Sequence, residues 1–81
     1  MTKDEVFSVV KKSILQILPD VDPDRIAIGG QLRDLGANSI DRMEVVTLSM
    51  EELGVKIPLM SFAKVANIQD LVDVLGANLN N

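Results

Sequence analysis

The sequence predicts an all-α fold: a small four-helix bundle of three main helices and one short one, with a long loop between the first two. Three observations lead there. Three stretches place Val, Ile and Leu at helical spacing, with cap or stop residues at their ends. No alternation of apolar and polar residues persists long enough for a strand. The 81 residues are 47% hydrophobic but hold only two aromatics, Phe7 and Phe62, so the core must be aliphatic. Area scaling for this length gives about 4,800 Å² of folded surface against about 12,800 Å² unfolded, which supports one modest core. A single domain over residues 1–81 is the expectation.

The first helix is expected over residues 2–18. Thr2 and Glu5 make a capping-box pattern, and Asp4 and Glu5 put two acids in the first turn. Val6, Val9, Val10, Ile14 and Ile17 follow helical spacing, with Glu5, Ser8, Lys12 and Gln16 on the wetter side. Pro19 stops it. Residues 19–38 then run without a long periodic element, punctuated by Pro19, Pro23, Gly29 and Gly30. A structureless loop that long is uncommon in a compact domain. Val21, Ile26, Ile28, Leu32 and Leu35 are therefore expected to pin it to the core, with a helical turn around residues 31–35.

The second helix is expected to open at Asn38 or Ser39 and run to about Leu53, with Gly54 as its stop. Val45, Val46, Ser49 and Leu53 form its inward stripe, with Met43, Leu48 or Met50 at the edges. Pro58 ends an extended connector, and residues 61–66 have room only for a short helix. Asn67 caps the last helix, which turns Ile68, Leu71, Val72 and Leu75 inward. Gly76 is expected to end it, and the polar "NLNN" to fray.

The chain has no cysteine and no histidine. That removes disulfides, thiolate metal sites and cysteine nucleophiles, together with the commonest general base and any Ser-His-Asp arrangement. No catalytic or metal-binding residue is assigned. The net charge of −4 is concentrated: between residues 34 and 52, Asp34, Asp41, Glu44, Glu51 and Glu52 stand against Arg42 alone. Such a stretch repels nucleic acid and steers basic protein surfaces inward, although a charge cluster usually marks a solvated helix face. The N-terminus lacks the basic start and apolar run of a signal peptide, and no segment has the length of a membrane span. A cytoplasmic monomer with no nucleic-acid or membrane partner is expected.

The stretch "LGANSIDRME" holds the candidate site. A serine at a helix N-terminus can cap the helix, bind a phosphate or be joined to one covalently, and capping is the commonest of the three. Here Asn38 already supplies a competent cap, which is expected to leave the Ser39 hydroxyl free at the surface. No base stands beside Ser39 in sequence, so any chemistry there must come from another enzyme.

"LGANSIDRMEVV" resembles the attachment site of the acyl carrier proteins, whose hallmark is Asp-Ser-Leu opening the second helix. The capped first helix, the long loop, "MEELGVKIP" and "ANIQDLVDVL" fit the family in order and spacing, over about residues 2–76. The resemblance implies that a separate phosphopantetheinyl transferase, using coenzyme A and magnesium, esterifies Ser39 with 4′-phosphopantetheine. The arm's thiol would then carry acyl groups as thioesters.

The departures from the family pattern narrow the subtype. Asn38 replaces the usual aspartate, Ile40 the leucine, and Arg42 is basic in a commonly acidic face. The region around the short helix carries Lys64 and no acid. "GANSIDRMEVV" is most similar to the discrete donor carriers of polyketide β-branching cassettes. That likeness implies a malonyl, then acetyl, cargo and three partner enzymes: an acyltransferase, a decarboxylating ketosynthase-like enzyme and a synthase resembling the hydroxymethylglutaryl-CoA (HMG-CoA) enzyme. Fatty-acid, D-alanyl or peptidyl carriage is the sibling alternative. An unmodified helical interaction module is the alternative of another class.

By the same resemblance, Asn38, Ile40, Asp41, Arg42, Met43 and Glu44 would be read by partners, with Arg42 choosing between them. The plainer reading of Arg42 is an exposed arginine paired weakly with a neighbouring acid, worth under ~1 kcal/mol. Met60, Phe62 and Val65 could form an apolar patch beside the arm, with core packing expected for at least two of them. Asp34, Glu51 and Glu52 are expected to be plain solvation.

Overall fold

Thr2 starts the first helix as its capping box requires. Its hydroxyl accepts from the Glu5 N–H at 3.2 Å, and the Glu5 carboxylate accepts from the Thr2 N–H at 3.0 Å. The Thr2 hydrogen bonds hold the Glu5 carboxyl below its ordinary value. In this computed structural model, which describes residues 2–63, 65 and 67–79, the helices are α1 (Lys3–Ile17), α2 (Ser39–Leu53) and α3 (Ile68–Leu79). Short 3-10 turns at Pro23–Arg25, Leu32–Leu35 and Leu59–Phe62 join them, and no strand occurs among the described residues. The all-α architecture expected from periodicity is present.

Each helix ends for a local reason. Leu18 follows α1 and Pro19 cannot continue it. Gly54 closes α2 at φ 70°, while the Val55 N–H reaches back to the Met50 carbonyl at 3.0 Å. At the start of α3, Asn67 Oδ1 accepts from the Asp70 N–H at 2.8 Å, the expected cap.

Two expected boundaries move. α3 does not stop at Gly76 but continues to Leu79, which packs against the core. The short segment is a 3-10 turn at Leu59–Phe62, earlier than the expected residues 61–66. Pro58 at φ −57° starts it, the Ser61 N–H bonds to the Pro58 carbonyl, and buried Phe62 anchors it. Lys64 and Ala66 lie outside the described residues, as do Asn80 and Asn81 of the tail expected to fray.

The core is aliphatic apart from Phe62. α1 supplies Val6, Val10 and Ile14, α2 supplies Val45 and Val46, and α3 supplies Ile68, Leu71, Val72 and Leu75. Val9 and Ile17, placed in the inward stripe by spacing, are only half-buried, and Ser13 takes an inner position. Ser13 and Ser49 donate to carbonyls one turn back, Val9 at 3.0 Å and Val45 at 2.8 Å, so their burial strands no polar group. α1 packs against both α2 and α3, which touch each other much less. The accessible surface of 5004 Å² agrees with the area scaling.

The long loop is ordered by burial and by hydrogen bonds. Ile26 and Leu32 are buried, and Val21 and Leu35 pack partly against the core. Asp22 accepts from the Asp24 N–H at 2.9 Å and so caps the Pro23–Arg25 turn. The Ile68 N–H bonds to the Gly30 carbonyl at 2.9 Å, fastening the loop to the start of α3. Ion pairs Lys3–Asp73 and Lys12–Glu52, both at 3.1 Å, bridge α1 to α3 and α2. They are exposed and add under about 1 kcal/mol each. Glu52 thus has a partner where plain solvation was expected.

Two consequences are measurable by urea unfolding. Leu71 is fully buried, so Leu71→Ala should destabilise by about 2–5 kcal/mol. A loss below about 1 kcal/mol would contradict the tight core. At the head of α2, Asn38→Ala should cost about 0.5–2 kcal/mol, whereas Asn38→Asp should retain most of that stability.

Candidate functional site

The approach to α2 depends on one glycine. Gly36, at φ 92°, closes the Leu32–Leu35 turn. Its N–H bonds to the Arg33 carbonyl at 3.1 Å, and the Ala37 N–H to the Leu32 carbonyl at 3.2 Å. Ala37 is buried, so the chain is anchored immediately before the helix begins. Asn38 then caps it: Oδ1 accepts from the Asp41 N–H at 2.8 Å. Asp41 Oδ2 returns the bond from the Asn38 N–H at 3.2 Å. This reciprocal box pairs two donors of the helix end, the Asn38 and Asp41 N–H groups, without the Ser39 side chain.

Ser39 is the first residue of α2 and is exposed. Its hydroxyl is not free, as had been expected, but accepts a hydrogen bond from Arg42 Nη2 at 3.1 Å. The residues stand three apart, the spacing that brings side chains together on one helix face. The sequence contained that signal, but the expectation for Arg42 was a choice between partners, with a weak pairing to a neighbouring acid as its plainer reading.

The other candidate residues fall into two groups. Asn38 and Asp41 are engaged in the cap, and Asp41 is partly buried. Ile40 is 69% exposed, Met43 39% exposed, and Glu44 is also on the surface. Phe62 is buried and Val65 packs partly against the core, while Met60 is 87% exposed. Core packing for at least two of those three is therefore present.

Two grooves flank Ser39. One, of about 450 Å³, runs between the Leu32–Leu35 turn, α2 and the Leu59–Phe62 turn, and Arg33, Arg42, Val46 and Phe62 are among its walls. The other, of about 500 Å³, adjoins it along α2, with Met43 common to both, and is lined by Ile17, Ile40, Met43 and Leu48 with Glu44. Arg33 was not singled out in the sequence, because nothing local links it to Ser39.

These residues fit a phosphopantetheine on Ser39 Oγ. The hydroxyl is at the surface and spared from capping, and a guanidinium already stands within hydrogen-bond distance. The positive end of α2 favours an anion there by about 0.3–1 kcal/mol. Either groove has room for an extended arm. Among the described residues no group of three or more Asp, Glu, His or Cys could hold a metal, and no helix is long and apolar enough to cross a membrane.

The family model described as phosphopantetheine attachment site matches residues 8–75. A polyketide biosynthesis acyl-carrier-protein, AcpK, of Bacillus subtilis (strain 168) is 40% identical over 75 residues, covering 93% of this chain and 92% of that protein. An acyl carrier protein of Campylobacter hominis is 36% identical over 77 residues, 94% of this chain and 95% of the relative. A solved structure, described as the curacin biosynthetic pathway HMG synthase in complex with acetyl donor-ACP, holds a chain that matches with a TM-score of 0.87. That match is 31% identical and covers 95% of this chain and 99% of the other. With the family model matching most of its length and relatives this similar across nearly all of theirs, the chain belongs to the phosphopantetheine-binding acyl carrier protein family.

Proposed function

We propose that Ser39 carries the 4′-phosphopantetheine arm and that the chain is the acetyl donor carrier of a β-branching step in polyketide biosynthesis. A phosphopantetheinyl transferase builds the arm from coenzyme A. The arm's thiol receives malonyl from an acyltransferase, and a decarboxylating ketosynthase-like enzyme converts malonyl to acetyl. An HMG-CoA-synthase-like enzyme then takes the acetyl group. The chain is a substrate of each enzyme and catalyses none of the steps. The observation that carries this reading is the likeness, at a TM-score of 0.87 over 99% of the other chain, to a structure described as an HMG synthase with its acetyl donor carrier. The polyketide carrier at 40% identity supports it.

The surface suits a carrier that must visit several partners and leave each. Ile40 and Met43 are exposed on α2 beside Ser39, with Glu44 next to them. A few apolar contacts rimmed by charge give weak, transient complexes of less than about 1,200 Å². In this reading Arg42 discriminates among partners more by electrostatics than by area.

Two measurements test the proposal. Incubation with coenzyme A and a broad-specificity transferase should add the phosphopantetheine mass to the wild type and not to Ser39→Ala. No gain by the wild type, or a gain that survives the substitution, would remove Ser39 as the tether. For the subtype, the acetyl-loaded chain should donate to an HMG-CoA-synthase-like enzyme, and Ile40→Asp should lower kcat/KM about tenfold as an interface anchor is lost. Donation no better than from a fatty-acid carrier would overturn the donor assignment.

A further inference from the structure

The two grooves beside Ser39 differ in charge. Arg42 and Arg33 line the groove between the Leu32–Leu35 and Leu59–Phe62 turns, whereas Glu44 is the charged residue of the other. Arg42 Nη2 already donates to the Ser39 hydroxyl at 3.1 Å. The ion pairs given above, Lys3–Asp73 and Lys12–Glu52, are the two found among the described residues, and neither involves Arg42. The nearest acid in sequence, Asp41, spends its carboxylate on the Asn38 N–H. At the position before Ser39 stands the neutral Asn38. A guanidinium is therefore held on the oxygen that becomes the ester, with no carboxylate of the described residues paired to it.

We propose that Arg42 is the positioning residue of the arm: in the modified protein its guanidinium moves from the Ser39 hydroxyl to the phosphodiester built on that oxygen and holds the arm in the Arg33–Phe62 groove. This rests on the reading of Ser39 as the tether. A guanidinium binds a phosphate through two parallel N–H donors, and bonds between two ionised groups are shorter and stronger than the single bond to an uncharged hydroxyl that they replace. Glu44 repels the same anion from the neighbouring groove. Once the phosphate is turned towards Arg42, the chosen groove matches the rest of a pantetheine. Gln31 and Asn67, the latter also the cap of α3, are the amide-bearing residues of its lining and suit the two amide groups of the arm, and Phe62 and Val65 give its gem-dimethyl group an apolar wall.

Nuclear magnetic resonance of the isotope-labelled, modified chain tests this. On modification the Arg42 Nε–Hε signal should shift, and the arm should show cross-relaxation to Phe62 and Val65 rather than to Ile40 and Leu48. Arg42→Gln should abolish the contacts to Phe62 and Val65. Arg42→Lys should restore part of them, since an ammonium keeps the charge but not the two-pronged donor. The side chain is exposed and outside the core, so unmodified Arg42→Gln should keep the wild-type spectrum beyond the first turns of α2. An Arg42 signal unmoved by modification, contacts that survive Arg42→Gln, or an arm lying against Ile40 and Leu48 would each overturn the assignment. Mass spectrometry of the same sample separates the two failures. A chain modified at Ser39 whose Arg42 signal stays put removes this inference alone, whereas an arm on another residue removes both readings.

Discussion

The reciprocal bond between Asn38 and Asp41 is the interaction on which the site depends. An α-helix begins with unpaired N–H groups, and a serine near that end would ordinarily be drawn into satisfying them. Asn38 Oδ1 and the Asp41 carboxylate take that work between them, at 2.8 and 3.2 Å. Ser39 can therefore sit one residue inside the helix with its hydroxyl on the surface. The arrangement reaches back along the chain. Asn38 is placed by buried Ala37, Ala37 by the left-handed Gly36, and Gly36 by a turn whose Leu32 is fixed in the core. An exposed hydroxyl at a helix start thus depends on the packing of a loop.

Where the sequence was legible, several local signals agreed. In α3 the cap at Asn67 and the spacing of Ile68, Leu71, Val72 and Leu75 pointed to the same face, and all four are buried. Gly76 misled because glycine costs a helix only about 1 kcal/mol relative to alanine. Leu79, packing against the core one turn further on, offsets a cost of that size. The Leu59–Phe62 turn was placed late for a similar reason: Pro58 sets the start of a turn as well as ending a connector. The Pro23–Arg25 turn is too short to leave a periodic trace at all.

The site was legible to a different depth. The identity of the cap and the exposure of Ser39 followed from residue type and order. The bond from Arg42 to Ser39 did not, because Asn38 and Ser39 both stand at helical spacing from Arg42 and differences below about 1 kcal/mol choose between such exposed acceptors. Arg33 was invisible for another reason. It reaches the groove beside Ser39 through the fold of the loop, and no spacing rule connects a loop residue to a helix it does not adjoin.

Asn38 and Arg42 gain a common physical meaning from this geometry. With Ser39 as the proposed tether, a carboxylate before it would place a like charge beside the phosphate, and Asn38 keeps the capping oxygen without it. Arg42 adds an opposite charge on one side only. If the guanidinium holds the phosphate, it is not simultaneously free for a partner's carboxylate, and the two uses of Arg42 compete. An enzyme that draws Arg42 to its own acid weakens the hold on the arm. By reciprocity, an arm pulled into an enzyme's active site makes Arg42 more available to that enzyme's surface. Recognition and release of the cargo would then be opposite ends of one equilibrium, with a single side chain between them.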